Sequence, residues 1–73
     1  MLHTTVDTYI VDSCYTFDEG YETAIMNHGN AWVIVERYPT YEEMKIGHEK
    51  WCKFCETEPT EVYSVQTDEM EEL

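Results

Sequence analysis

Residues 40 to 56, TYEEMKIGHEKWCKFCE, constrain this chain more than any other stretch, because they combine a helical period with a cluster of metal-capable side chains. Thr40 follows Pro39 and stands three residues before Glu43, the spacing of a capping box, in which hydroxyl and carboxylate satisfy orphan amides of the first turn. That spacing predicts a helix opening at Tyr41. Glu58 precedes Pro59, and a residue before proline is pushed out of the helical region, which closes the helix near Glu56. Between these limits Met44, Gly47, His48, Trp51, Cys52 and Cys55 recur at three- and four-residue steps and form one stripe. Glu42, Lys45, Glu49, Lys50 and Lys53 fall mostly on the other side, so the helix is amphipathic.

His48, Cys52 and Cys55 stand at i, i+4 and i+7, which stacks them on one face. Structural zinc takes four ligands from Cys, His or carboxylate, and a Cys-x-x-Cys pair supplies two thiolates. The expected set is Cys14, His48, Cys52 and Cys55. Cys14 ranks first as the fourth ligand because it is the only remaining thiol, with His28 and then His3 in reserve. The competing reading makes both cysteines small apolar core residues. A thioredoxin-type redox pair fits worst, since these thiols lie in the last turns, where the helix dipole disfavours a thiolate.

A chain of 73 residues is one domain, and at this size about 60% of the unfolded surface is buried, so a metal staple is one usual source of stability. Three cysteines cannot close a disulfide framework. No signal-like or membrane-spanning run is present, and the expectation is a cytoplasmic protein, in a host cell, with reduced thiols and no membrane association.

Sixteen acids against four bases give a net charge of −12. Residues 1 to 35 carry Asp7, Asp12, Asp18, Glu19 and Glu22 with no Lys or Arg, residues 36 to 55 are balanced, and Glu56, Glu58, Glu61, Asp68, Glu69, Glu71 and Glu72 follow unopposed. A nucleic-acid binder needs the opposite sign to neutralise phosphates, so direct nucleic-acid binding is not expected; the natural partner of such a surface is basic. The plain alternative is that the acidity serves solubility alone.

Thr4 to Val11 reads as a first strand, Asp12 to Gly20 as a turn region holding Cys14, Tyr21 to Met26 as a second strand, and Asn27 to Asn30 as a compact turn. Ala31 to Tyr38, the most apolar strand, is expected at the sheet centre. Thr60 to Thr67 reads as a fourth strand and Asp68 to Leu73 as a frayed acidic tail, giving a domain over 1–67 and a tail over 68–73. The expected fold is α+β: a small antiparallel sheet of three to four strands with one helix packed on one face, stapled by a structural metal. No glycine-rich phosphate loop, Gly-x-Ser-x-Gly or His-Glu-x-x-His occurs, and four zinc ligands would leave no open coordination position, so the expectation is a non-enzyme.

The segments YETAI (21–25), ERYPTYEEM (36–44) and GHEKW (47–51) resemble those of a group of small proteins from phages and prophages of Gram-positive bacteria. That group carries a Tyr-Glu-Thr strand, then Arg-Tyr-x-Thr-x-Glu-Glu, then Gly-His. The resemblance covers about half the chain, residues 20 to 52. This chain departs from it in a short connection between strands two and three and in Cys52 and Cys55, so any metal site must rest on this sequence alone.

Small acidic phage proteins of this size resemble anti-CRISPR inhibitors of type II RNA-guided nucleases, which hold their heteroduplex in a positively charged channel. The resemblance implies a host defence nuclease as partner, bound so that loading of target DNA is blocked. The charge distribution makes Asp18, Glu19, Glu22, Glu58, Glu61, Asp68 and Glu69 the candidate contacts, with Tyr15 or Tyr63 as aromatic anchors. The alternative is a phage structural or regulatory adaptor with a structural zinc and no nuclease target.

Overall fold

Turn chemistry divides the first 38 residues of this chain into four strands. A computed structural model describes residues 1 to 73. Strand β1 (Leu2–Val6) turns through Asp7-Thr8 into β2 (Tyr9–Thr16), with Asp7 in the left-handed region at φ 56°. Strand β2 runs antiparallel to β3 (Gly20–Asn27) from Thr16↔Gly20 to Tyr9↔Asn27. The connecting turn, Phe17 to Glu19, is closed by Gly20 at φ 78°, a conformation in which glycine carries no Cβ penalty. Strand β4 (Val33–Tyr38) pairs with β3 and completes a meander of order β1-β2-β3-β4. Thr4 to Val11 is thus a hairpin rather than one strand, and most of the region expected as a turn, Asp12 to Thr16, extends β2.

Helix α1 (Tyr41–Cys55) opens as its capping spacing predicts. The Glu43 amide donates to Thr40 Oγ1 at 3.2 Å. The reciprocal half differs from the usual box, because the Glu43 carboxylate accepts from the Thr40 hydroxyl, not from its amide. The helix closes through amides of residues 56 to 58, which bond the carbonyls of Lys53, Phe54 and Cys55, and Glu58 turns the chain out at φ 55° ahead of Pro59.

Side chains on β2 alternate: Tyr9, Val11 and Ser13 are buried towards α1, and Ile10, Asp12 and Cys14 lie half-buried on the opposite face. The core under the helix joins Tyr9, Val11, Ile25, Val33, Val35 and Cys55 to Val62 of the later hairpin. Burying a large apolar side chain of this kind contributes about 1.5 to 3 kcal/mol. The β3–β4 register shifts between Thr23↔Glu36 and Ala24↔Ile34, which leaves Val35 as the extra residue of a bulge. The bulge re-phases the strand, so that Val35, Glu36 and Tyr38 all reach the helix side.

Two further expectations fail, one at β4 and one at the C-terminal residues. Strand β4 is an edge of its sheet, not its centre; its apolar character reflects the bulge and the hairpin that follows, which it meets through Val65 N–H donating to the Ile34 carbonyl at 2.9 Å. Residues 68 to 73 are no frayed tail. Glu69–Glu72 form β6, paired antiparallel with β5 (Glu61–Ser64) in a separate two-stranded sheet. Ser64 Oγ accepts from the Gln66 and Thr67 amides, Asp68 turns the chain at φ 61°, and the Leu73 amide bonds the Thr60 carbonyl while its side chain packs on the core.

Candidate functional site

Helix α1 carries its polar inner residue, His48, over the middle of the sheet, where each strand of the meander presents one hydroxyl. His48 Nε2 lies 2.9 Å from Thr4 Oγ1 of β1, and Nδ1 lies 2.6 Å from Ser13 Oγ of β2. Ser13 Oγ is 2.6 Å from Thr23 Oγ1 of β3, which is 2.9 Å from the Tyr38 hydroxyl of β4. A neutral imidazole has one donor and one acceptor nitrogen, so a single direction of donation satisfies the whole row: Tyr38 to Thr23 to Ser13 to Nδ1, then Nε2–H to Thr4. Burial pushes the His48 pKa below its ordinary value; Asp12 and Glu49 oppose that effect and His3 adds to it.

This row changes the place of the predicted zinc ligands. No group of three or more His, Cys, Asp or Glu side chains is placed to hold a metal ion. Cys14 lies on the sheet face away from the helix, opposite Glu22, because β2 continues through it and Ser13 takes the inward position. His3 is on that outer face too, bonded through Nδ1 to Asp12 at 2.9 Å, and His28 is in the exposed β3–β4 turn. Cys52 and Cys55 do lie on the inner stripe with His48, but both His48 nitrogens are engaged by hydroxyls. Cys55, 1% exposed, packs among core side chains, and burial together with Cys52 pushes its thiol up to about 11. Burial also raises Cys52, against a Thr4 hydrogen bond that lowers it, and raises Cys14, with Asp12 and Glu22 adding to the effect.

Ser13 and His48 have the spacing of a nucleophile and its base, yet Ser13 is fully buried and neither surface cavity is lined by either residue. The row acts instead as a polar clamp between helix and sheet. Beside it, Glu36 accepts from Lys50 Nζ at 2.7 Å and from Trp51 Nε1 at 2.8 Å. Burial raises the Glu36 carboxyl, but these two donors, together with the Tyr38 hydroxyl and the Lys50 charge, outweigh it and hold the group below its usual range.

The candidate partner-binding acids fall into two groups, one at the β2–β3 turn and one on and beside the β5–β6 hairpin. Asp18 and Glu19 are exposed in the β2–β3 turn, next to Phe17, 95% exposed, and Tyr15. Arg37 Nε stands 3.5 Å from Glu19, near enough for attraction but without a hydrogen bond. Glu22 does not belong to this surface: it is 8% exposed, lies between Cys14 and Arg37 in the sheet register, and accepts from Thr16. Glu58, Glu61, Asp68 and Glu69 lie on and beside the β5–β6 hairpin with Glu71 and Glu72, in a stretch from residue 56 onward that contains no Lys or Arg.

That hairpin forms a groove of about 540 Å³ with the second half of α1, lined chiefly by Val35, Trp51, Phe54, Val62, Tyr63 and Met70. Tyr63 and Met70 face each other across the two strands and are 44% and 56% exposed. Tyr63 was within reach of sequence reasoning as an aromatic anchor; Met70 was not, although it is the one apolar residue inside the acidic run 68–72. No helix is long and apolar enough to cross a membrane. Comparison with protein-family models, with curated proteins and with solved structures finds no match to this chain.

Proposed function

We propose that this protein is a binding module that inhibits a host defence nuclease, with a type II RNA-guided nuclease as the leading candidate, by occupying a basic surface needed for target DNA. The observation that carries the reading is the β5–β6 hairpin: Glu61, Asp68, Glu69, Glu71 and Glu72 stand there without a single base, beside an exposed apolar groove. A net charge of −12 complements a surface built to hold phosphates and steers association with it. Binding rather than catalysis is supported by the inaccessible Ser13–His48 pair. The protein works in this reading within the cytoplasm of a host cell, without contacting nucleic acid directly.

The fold supports the reading because the acids are held on paired strands and turns, so their positions are fixed before binding. The helix is fastened to the sheet by the hydroxyl row. The test is a binding and DNA-cleavage assay with purified nuclease at graded salt. A specific complex that weakens with salt, together with loss of cleavage when the protein is added before target DNA, supports the reading. No complex at low salt overturns it and favours an adaptor role.

A further inference from the structure

The groove between α1 and the β5–β6 hairpin combines two features that seldom occur together on a free surface. Its floor and walls are apolar, with Trp51 and Phe54 in edge-to-face contact at 5.3 Å and the Tyr63–Met70 pair opposite. At its mouth Glu61 pairs directly with Glu72 on the same hairpin face as Tyr63 and Met70. Directly opposed like charges destabilise a strand pair, and neither carboxylate has a base within ion-pair distance. Lys50, the one cation lining the groove, is already bonded to Glu36 and lies 5.0 Å from the Trp51 ring centre.

We propose that this groove is the anchor site for an arginine-bearing segment of a protein partner, with the guanidinium between Glu61 and Glu72 and its stem and an apolar neighbour against Tyr63, Met70, Trp51 and Phe54. The occupant follows from charge complementarity. A long aliphatic stem covers apolar surface while its head reaches the carboxylates. Arginine suits the site better than lysine because its planar head bonds carboxylates in a fork and stacks on aromatic rings. The assignment rests on the binding-module reading above and locates the residue of the basic partner that is held.

The test uses the full chain carrying Trp32→Phe, so that Trp51 is the only tryptophan, and an acetylated, amidated Gly-Leu-Arg-Leu-Gly peptide as probe. Expected is a saturable change in Trp51 emission, at least tenfold weaker when citrulline replaces arginine and at least tenfold weaker in Glu61→Gln/Glu72→Gln. The double variant removes a repulsion, so its melting temperature is expected to hold or rise. Asp18→Asn/Glu19→Gln, in the β2–β3 turn and outside the groove lining, is expected to bind the probe like the parent. An unsaturable response, equal binding of the citrulline peptide, or equal binding by Glu61→Gln/Glu72→Gln overturns the proposal. A nuclease bound equally by parent and Glu61→Gln/Glu72→Gln also overturns it while leaving the inhibitor reading standing; probe binding without any nuclease binding removes that reading and keeps the groove.

Discussion

The Tyr38 ring lies directly over Gly47, so that a Cβ at position 47 would overlap Tyr38 Oη, Cε1 and Cζ, while the Tyr38 hydroxyl bonds Thr23. The glycine therefore serves close approach of helix to sheet. Alanine at this position would gain about 1 kcal/mol in helix propensity. It would also force the ring aside, at the 1 to 3 kcal/mol typical of overpacking, and strain a buried hydrogen bond worth about 1 kcal/mol. Gly47→Ala is accordingly expected to destabilise the protein by about 1 to 3 kcal/mol, read from denaturant or thermal unfolding. A melting temperature equal to or above the parent's would contradict this account of the interface.

Stability should depend on pH at both ends of the hydroxyl row. The folded His48 resists protonation because it is buried, and its ordinary value is 6.5. As pH falls through that value the unfolded chain binds a proton that the folded one refuses, so stability present above about pH 6.5 is lost on acidification towards the lower folded value. The slope between pH 7.5 and 5.5 should flatten in His48→Gln. Tyr38 moves the other way: burial pushes its hydroxyl up to about 12, against a Thr23 bond that lowers it. Stability present below pH 10 should be lost as pH rises from 10 to 12, and Tyr38→Phe should remove that part, leaving a smaller loss from Tyr9, also raised chiefly by burial. Unchanged slopes in both variants would show that the row does not govern these transitions.

Much of the helix was legible in the sequence and little of the row was. Thr40, Glu43 and the stripe from Met44 to Cys55 act locally, through spacing, so helix and capping could be read directly. Ser13 and Thr23 are small hydroxyl residues at inward positions of central strands, and hydrophobic alternation treats such positions as surface. For the same reason alternation ends the first strand before Asp12 and leaves Cys14 in a turn, free to approach the helix, whereas β2 runs on to Thr16 and holds Cys14 on the outer face. Asp7-Thr8 lacks the Gly or Asn that usually marks a two-residue hairpin turn, so β1 and β2 merged. In DEMEEL, strand pairing to β5 outweighs a composition that on its own favours a tail.

Cysteine chemistry gives a separate check of the site. Cys55 is buried with its thiol pushed up to about 11, and Cys14 and Cys52 are half-buried with raised values. Alkylation at pH 8 in the folded state is expected to be slow at Cys14 and Cys52 and absent at Cys55 until the protein unfolds, as mass spectrometry of digested samples would show. A strong chelator is expected to leave the melting temperature unchanged, since the row already satisfies His48. Close to one zinc per chain with a chelator-dependent fall in stability would mean instead that ligation by His48, Cys52 and Cys55 displaces the hydroxyls.

The division of the acids between the β2–β3 turn and the β5–β6 hairpin gives the proposed nuclease interaction a spatial signature. Glu19 is partly offset by Arg37 and Glu22 is buried, so the β2–β3 turn offers less free charge than composition suggests. The hairpin has five unopposed acids and a groove that adds apolar contact. Reversing Glu58, Asp68 and Glu69 together should slow association with a basic nuclease about tenfold or more at low salt, the effect fading as added salt shortens the screening length below about 10 Å. Reversing Asp18 and Glu19 should cost only a small part of that, and both variants should keep the parent's melting behaviour, because these side chains lie outside the core. Association rates measured across a salt series decide the matter. Equal losses at the two groups would point to steering by total charge, and a larger loss at the β2–β3 turn would move the contact to Phe17 and Tyr15.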